Sequence, residues 1–570
     1  MATEIISTNL TATYLLDRND NLFVTQKGSA IVSGANAVQT RTNLDSHLDL
    51  ILLGHVEATG LAAPGVGASA VFLQAHVIGG QVGATHNSVT VGSTGSLLAL
   101  QGFGIFNQGS AATITNLGSI EAWVGIHVYG GDNRVENAGV ITATEVGIEV
   151  GGVGNDLNPG PSHIHNSGTI LTVIDPLDPT ALGWGISIFA NWVQVTNDGT
   201  IDARLGILSQ GSHMAVSNSG TIDASTGPAI VFGYSFGSLV NTGTITNHGR
   251  QAAIDAVGLQ FPSTNGLNIL NSGRIESDAI AVSGALRSVI NDGDIVGGGD
   301  GIHVDFSDRF RLVNGGLIEA SDFGVFHDVG LRCDILNLGT ISGLGNPANP
   351  GFAIFTSQVG GYVDNKGILL GEVHIEAGRL INDGTITGDV TVAFGKVLNS
   401  GVIDGDLFLF DSNTYVGSGT GVVTGSINGS NGFDRLLGAD LADRILGNDE
   451  ADTIFGGGGD DVLTGGMGQD RLTGGTGADM FIYGAAAESV LGVGVDRITD
   501  FVAGVDRIDL SAFLAGASFV GAAGFSGAGP EVRYDAATGV LRSDVDGDRV
   551  VDFVVVLTNH AAITAGDLIF

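Results

Sequence analysis

Lysine is almost missing from this chain: Lys27, Lys366 and Lys396 are the only three in 570 residues. With 22 basic against 59 acidic residues, the formal net charge is −37. Nucleic acid and anionic membranes both attract basic surface, so neither is a partner this chain suits. Cysteine is reduced to Cys333, which removes any intrachain disulfide. Set in Cys-Asp-Ile-Leu, it reads as a small core hydrophobe. No apolar run approaches the length of a membrane helix. The N-terminus, MATEIISTNLTATYLLDRND, has neither the basic nor the continuous apolar segment of a Sec signal peptide. There is no His-Glu-x-x-His, which excludes a zinc protease of that kind, and Gly395-Lys396 is followed by Val397 rather than Ser or Thr, which excludes a phosphate loop. Charged residues make up only 14% while glycine reaches 93 residues. That balance predicts many tight turns between apolar strands rather than disorder.

What is present is repetition. Residues 429–482 divide into six nine-residue units. The last three are GGGGDDVLT from Gly456, GGMGQDRLT from Gly465 and GGTGADMFI from Gly474. The form Gly-Gly-x-Gly-x-Asp-x-apolar-x is that of a calcium-binding parallel β-helix repeat. Gly456, Gly457, Gly459, Gly465, Gly466, Gly468, Gly474, Gly475 and Gly477 allow a turn with φ > 0 that aims carbonyls inward. Asp434, Asp443, Asp452, Asp461, Asp470 and Asp479 add carboxylates, and Ca²⁺ takes about six to eight such oxygen ligands. The apolar position (Leu436, Ile445, Ile454, Leu463, Leu472, Phe481) points into a thin core. Two units make one 18-residue coil, so Asp434 lies over Asp452, Asp443 over Asp461, Asp452 over Asp470 and Asp461 over Asp479. Carboxylates about 5 Å apart, one strand spacing, repel unless a cation lies between them. A flexible linker would not keep Asp and an apolar residue on a nine-residue beat. The first three units, GSNGFDRLL, GADLADRIL and GNDEADTIF, are worn, the second and third at Ala439, Leu441, Asn448 and Glu450. They are expected to bind calcium more weakly.

These units resemble the repeats of the RTX (repeats-in-toxin) family of bacterial secreted proteins. DRITDFVAGVDRIDLSAF, from Asp496 to Phe513, resembles the segment that follows the β-roll in serralysin-type proteases. The ending Gly566-Asp567-Leu568-Ile569-Phe570 is similar to that of members exported by type I secretion through an uncleaved C-terminal signal. The resemblance spans residues 429–570. It implies Ca²⁺ binding, the type I secretion machinery as a partner, and a secreted, extracellular or cell-surface location. It implies nothing about catalysis.

Upstream a second array appears. Asn-x-Gly-x-Ile, or a close variant, starts at Asn116, Asn137, Asn166, Asn197, Asn218, Asn241, Asn271, Asn291, Asn314, Asn337, Asn365, Asn382 and Asn399. The steps run from 17 to 31 residues. Each repeat also carries an apolar alternation after a Gly, such as Gly125-Ile126-His127-Val128, and a short apolar run before the Asn. Three period-2 strands per repeat read as one coil of a parallel β-helix. The Asn amides are expected to stack coil on coil, and the Gly two positions on to supply a φ > 0 turn. From Asn365 the step tightens to 17, close to the 18-residue calcium coil, so the helix is expected to run into the roll with little linker. Leu53–Ala58 and Ser93–Leu97 read as worn copies, and the first 30 residues as a cap over the open strand edge.

Three sites invite chemistry. Gly233-Tyr234-Ser235-Phe236-Gly237 has the form of a nucleophile elbow, but the repeat resumes at Asn241 and leaves no room for the helix that elbow needs. Asp300, His303, Asp305, Asp308, Arg309 and Arg311 form the densest ionisable cluster of the array. Some β-helix enzymes use such groups on acidic polysaccharides, and mannuronan epimerases join a β-helix to calcium repeats, but the Tyr-Gly-Phe-Asp-Pro-His type of signature is missing here. Asp544, Asp546, Asp548 and Asp552 suggest either another calcium-holding turn or a polar hairpin tip, without the EF-hand Glu.

The expectation is therefore an all-β chain. Residues 1–90 hold a cap and irregular first coils, 91–428 a parallel β-helix, 429–482 a calcium-binding parallel β-roll, and 483–570 a small β-rich C-terminal region with a secretion signal. The function expected is a secreted, non-enzymatic adhesin, matrix or surface-layer component that folds on Ca²⁺ after export and meets polysaccharide or another cell-surface ligand. The alternative is a calcium-dependent polysaccharide lyase or epimerase. No catalytic residue is assigned.

Overall fold

The computed structural model describes every residue except 1–2, 17–20, 34, 41–46, 60, 64–65, 75–76, 79–80, 83–85, 153–159, 174–181, 234–236, 258–265, 306, 329, 347–348 and 493. The regular elements of the described chain are all strands apart from two short 3₁₀ turns, Ala486–Glu488 and Ala565–Asp567, and no described helix is long and apolar enough to cross a membrane. It divides into two units, Met1–Phe310 with Gly316–Ala320, and Arg311–Gly315 with Ser321–Phe570.

In the first unit the Asn motif closes one strand of each coil from Thr113–Asn116 onward. Thr113–Asn116 pairs in parallel with Arg134–Asn137, and the same register passes through Ser162–Asn166, Val193–Asn197, Ala215–Asn218, Ser238–Asn241 and Leu267–Asn271 to Leu286–Asn291. A second column starts one residue before the Ile of each motif, and a third holds strands such as Leu205–Ser209, Ile254–Ala256 and Ile302–Val304. Alternation puts one side chain of each pair inside. Ile120, Ile141, Ile170, Ile201, Ile222, Ile245, Ile275 and Ile295 are all at most 1% exposed. Full burial of such a side chain stabilises by about 1.5–3 kcal/mol, which only stacked coils can supply.

The Asn side chains are buried too, and their amides form the expected ladder. Nδ2 of Asn116 donates to Oδ1 of Asn137 at 2.8 Å, and the pattern repeats from rung to rung as far as Asn291. Nδ2 also reaches a carbonyl of the next coil, as from Asn218 to Thr244 at 3.2 Å. The backbone N–H groups of the two residues after each Asn donate to the carbonyl of the previous Asn, as Ala138 and Gly139 do to Asn116. An amide carries both donor and acceptor, so the ladder closes on itself.

The motif glycine plays a different part from the one expected of it. None of Gly118, Gly139, Gly168, Gly199, Gly220 or Gly243 has a positive φ. A Cβ on Gly220 would lie 2.0 Å from the carbonyl oxygen of Gly199, and one on Gly139 2.1 Å from that of Gly118. Close approach of successive backbones, not a left-handed turn, requires glycine there. Gly54 and Gly95 meet preceding coils in the same way, at 2.1 Å each. The N-terminal residues expected to cap the array form strands of a coil themselves: Thr3–Ile6 pairs with Asn21–Val24, and Asn9–Leu10 with Ser29–Ala30.

The second unit starts with the same three-stranded coils. Its amide ladder runs Asn314, Asn337, Asn365, Asn382, Asn399 at 2.8–2.9 Å. The coils then lose a side. The column containing Val402–Asp404 pairs with Val422–Val423 and goes no further among the described strands. The other two continue without a break. One runs from Lys396–Asn399 through Thr414–Gly417, Arg435–Leu437, Thr453–Gly458 and Arg471–Thr476 to Asp496–Ile498. The other runs from Leu407–Phe410 through Ile427, Ile445, Leu463 and Phe481 to Ile508. Two strands per 18 residues is the nonapeptide coil. An antiparallel hairpin, Glu531–Asp535 with Val540–Asp544, leads to Phe553–Leu557, which pairs with Asp496–Ile498, and Leu568–Ile569 pairs with Ile508–Asp509.

Candidate metal centre

The six repeat aspartates are at most 4% exposed. Each stands immediately before a strand of the roll, as Asp452 does before Thr453–Gly458 and Asp461 before Val462–Met467. Oδ1 of Asp452 accepts the backbone N–H of Asp434 at 2.8 Å, and Asp461, Asp470 and Asp479 accept from Asp443, Asp452 and Asp461 at 2.8–3.0 Å. The ladders therefore run as expected, with each carboxylate hooked onto the coil before it. The second oxygen is different. Oδ2 of Asp452, Asp461, Asp470 and Asp479 is buried without a hydrogen-bond partner.

Burial pushes these carboxyls up, more than the backbone hydrogen bonds pull them down. Asp452 is raised to about 8 and Asp461 to about 7, with neighbouring ladder aspartates adding to the rise. Asp470 and Asp434 reach about 6. Such an oxygen needs a proton or a cation.

One amide rung shows what the carboxylate rungs lack. Asn413 lies one coil before Asp434: its Oδ1 accepts from Gly395 N–H at 2.6 Å, and its own N–H donates to Asp434 Oδ1 at 2.6 Å. Its Nδ2 donates to the carbonyls of Phe410 and Asp411 at 2.6 and 2.8 Å. An Asp in that place has no hydrogen to give, so a hard cation between carboxylate and carbonyl oxygens fits where the NH₂ group sits.

The glycines divide into two roles. Gly457, Gly466 and Gly475 have φ of 117°, 95° and 106°, and Gly459, Gly468 and Gly477 of 99°, 157° and 138°, so they are the left-handed turn residues expected. Gly456, Gly465 and Gly474 are not left-handed. A Cβ on them would lie 2.2–2.4 Å from Oδ2 of the Asp five residues on. The first glycine clears space for the carboxylate, and it is kept in all six units, worn ones included. In the worn end Asp434 has both oxygens engaged, Oδ2 by Ser430 N–H at 3.3 Å, and Asp443 Oδ2 accepts from Ala439 N–H at 2.8 Å.

Three aspartates beyond the nonapeptides complete the site. Asp496 and Asp506 are 0% and 3% exposed, and accept from Asp470 and Asp479 N–H at 2.9 and 3.0 Å. Asp496 Oδ2 is again unpartnered, and burial raises this carboxyl to about 8. Asp500 caps the last turn by accepting from Gly474 and Gly475 N–H. The signal was in plain view: Asp496-Arg497-Ile498 and Asp506-Arg507-Ile508 repeat the Asp-x-apolar pattern, and Gly494 and Gly504 keep the glycine two positions ahead of it, but the nine-residue spacing is lost.

Residues 355–570 match the model of a family described as the C terminal of the peptidase M10 serralysins. The C-terminal region is of the RTX/serralysin type. The match begins well before the first nonapeptide, in the tightening coils. The RTX/serralysin-type roll binds Ca²⁺, and the half-satisfied carboxylates suit that ion. Two solved structures are similar over 26% of this chain. One is the AlgE6R3 subunit from the Azotobacter vinelandii mannuronan C5-epimerase, 33% identical with 81% of it covered and a TM-score of 0.20. The other is the AlgE6R2 subunit from the same epimerase, 35% identical with 92% covered and a TM-score of 0.21. A comparison with curated proteins finds no match.

The other sequence candidates fare unequally. Carboxylate oxygens of Asp544, Asp546 and Asp552 converge within 4.8 Å, a set able to hold a cation, while Asp548 turns an oxygen to Val550 N–H. In the first unit His303 Nδ1 lies 2.7 Å from Asp300 Oδ2, and Nε2 3.3 Å from Asp305 Oδ1. Burial pulls this imidazolium down, but its two carboxylates outweigh that and push it up to about 9. Pinned and protonated, His303 is no free base. Among the described residues no ion pair joins Asp308 or Arg309 to it, and Arg311 falls in the other unit. Tyr234, Ser235 and Phe236 lie outside the described residues, and the strand Ser238–Asn241 resumes the coil directly.

Proposed function

We propose that this is an exported, calcium-dependent β-solenoid protein that binds acidic polysaccharide outside the cell. The observation that carries the calcium step is the ladder of buried carboxylates, in which Asp452, Asp461, Asp470 and Asp479 each keep one oxygen unpartnered. Asp452, Asp461, Asp470 and Asp479, with Asp434 and Asp443 at the worn end, are the ligands, and the turn glycines lend backbone carbonyls. In a low-calcium cytosol the ladder disfavours folding, which suits passage through type I secretion machinery. Outside, Ca²⁺ binds the folded form alone and draws the equilibrium over. When bound, the ion neutralises the ladder and fixes the turns.

The polysaccharide is supported by the named likeness to modules of a mannuronan C5-epimerase, and by an extended surface of in-register coils. Binding without turnover, as in a matrix or adhesive component, agrees with His303 being held protonated between two carboxylates. The second reading is a lyase or epimerase, favoured by that same likeness and by Asp255 and Ser283, which stand in register with His303 on successive coils. The test is incubation of the calcium-loaded protein with alginate and with pectate. Retardation in a polysaccharide gel without new unsaturated-product absorbance or altered uronate NMR signals is expected. Product formation abolished by His303→Ala would establish the second reading. No retardation and no product would refute both.

A further inference from the structure

Tryptophan occurs three times, and its most exposed copy sits in an unusual place. Trp192 is 51% exposed, whereas Trp184 is buried and Trp123 packs edge-on against Phe103. Trp192 turns the corner between strands Trp184–Ile188 and Val193–Asn197 with φ of 60°. On the next coil His213 turns the same corner with φ of 62°. Bulky residues avoid this left-handed region, and such strain gathers where a side chain must be aimed. The equivalent corner of earlier coils is left-handed as well, but holds the small Ala111 and Asp132. The geometry of the corner is inherited; the pair of large rings is not.

The two rings are stacked, with centroids 3.8 Å apart and planes 13° from parallel. The backbone beneath is fixed from several sides. Trp192 N–H donates to Ser212 O at 2.9 Å, and Asn191 Oδ1 accepts from both Ser212 N–H and Ser212 Oγ at 2.8 and 3.0 Å. Ser212 Oγ in turn lies 3.1 Å from His213 Nδ1. Gly211 brings the coils together, since a Cβ there would lie 1.8 Å from Ala190 O. Phe189, three residues before Trp192, is 45% exposed. A preorganised flat apolar ring, backed by a second ring and rimmed by amide and hydroxyl groups, matches a pyranose, whose C–H face is apolar and whose edge is hydroxyls. The aromatic stack of Phe72, Phe106 and His127 differs, because its half-buried rings spend their faces on one another.

We propose that Trp192, backed by His213, is a stacking subsite for one sugar ring of the polysaccharide. The inference rests on the polysaccharide reading and names where on the first unit the chain is held. Stacking uses the sugar's C–H face, so it tolerates the −37 net charge better than recognition of uronate carboxylates would.

The experiment is titration of the calcium-loaded full chain with a mannuronate hexasaccharide, and with cellohexaose as an uncharged probe, followed by tryptophan fluorescence and calorimetry. A saturable emission change is expected, lost in Trp192→Ala together with about tenfold of affinity. Trp192→Phe should restore most of the affinity, His213→Ala should weaken it by a few-fold, and Trp123→Phe should leave it unchanged. Unaltered circular dichroism of Trp192→Ala would show that the coil is intact. Hexasaccharide binding of wild-type strength by Trp192→Ala would overturn the subsite and leave the polysaccharide reading standing. Failure of the wild-type protein to bind alginate, pectate or either oligosaccharide would overturn both.

Discussion

In the Asn coils each rung of the buried polar ladder is an amide; in the nonapeptide coils each rung is a carboxylate. Both ladders put one oxygen on a hydrogen bond from a neighbouring coil, at 2.7–3.0 Å. They part at the other atom. Asn218 Nδ2 finds Asn241 Oδ1, Gly220 O and Thr244 O, so the rung is complete in protein alone. Asp461 Oδ2 finds nothing. A single-atom difference, NH₂ for O, separates rungs that close in protein alone from rungs that leave a buried carboxylate oxygen open. Asn413 and Asp434, consecutive rungs of one ladder, put the change of regime at the coil where the nonapeptides begin.

The largest expected effect follows directly. Chelation should strip hydrogen-exchange protection from residues 435–509 and leave the coils around Asn116–Asn291 protected. Restoring millimolar Ca²⁺ should return it. Protection of both regions in chelator would mean that the carboxylate ladder closes without a cation.

Exchanging the rungs should be next in size. Asn218→Asp places an acceptor-only charge in an amide ladder and should cost roughly 3 kcal/mol or more in a denaturant melt. Asp452→Asn should do the reverse for the calcium-free roll, raising its melting temperature, while weakening Ca²⁺ binding by about tenfold or more. A calcium titration of the variant that overlays the wild type would remove Asp452 from the ligand set.

Much of this contrast was legible in the sequence, because both ladders repeat on a fixed beat and a stacked polar residue must find its partner one coil away. The coil boundaries, the buried apolar positions and the six aspartates all followed from period alone. What did not follow was anything set by distance between backbones. Gly220 and Gly465 look like turn glycines, yet one makes room for Gly199 O and the other for Asp470 Oδ2. Neither function leaves a mark distinct from φ > 0 in the sequence. Asp496 and Asp506 stand out less in the sequence because they keep a glycine two positions ahead but fall off the nine-residue beat that marks the six units.

The carboxylate ladder should also titrate, and the amide ladder should not. Asp452 and Asp461, raised to about 8 and 7, lie above the ordinary value of 3.8 expected when unfolded. A carboxyl raised by folding contributes stability that is fully present below about pH 4 and is lost as pH climbs through 7 to 8. Without calcium, the roll should therefore melt at a higher temperature at pH 5 than at pH 8. With calcium saturating, the order should reverse, because the ion competes with protons for the same oxygens. Equal melting temperatures at the two pH values in chelator would show that burial does not hold these protons.

The smallest effect tests how far the worn units still belong to the roll. Asn448 and Glu450 take φ of 78° and 72°, the left-handed places filled by glycine in the three units that follow. Ala439 and Leu441, one unit earlier, do not adopt it. The third unit has thus kept the turn and lost the residues that make it cheap, while the second has given up the turn itself. Glu450→Gly should stabilise the calcium-loaded roll by about 1 kcal/mol, the relief of left-handed strain exceeding the added flexibility of the unfolded chain. Leu441→Gly relieves nothing and should destabilise by a similar amount through that flexibility. Denaturant melts with saturating calcium would resolve the two. If both variants lost stability alike, the left-handed turn at Glu450 would be bearing no strain, and the third unit would be as far from the calcium-binding form as the second.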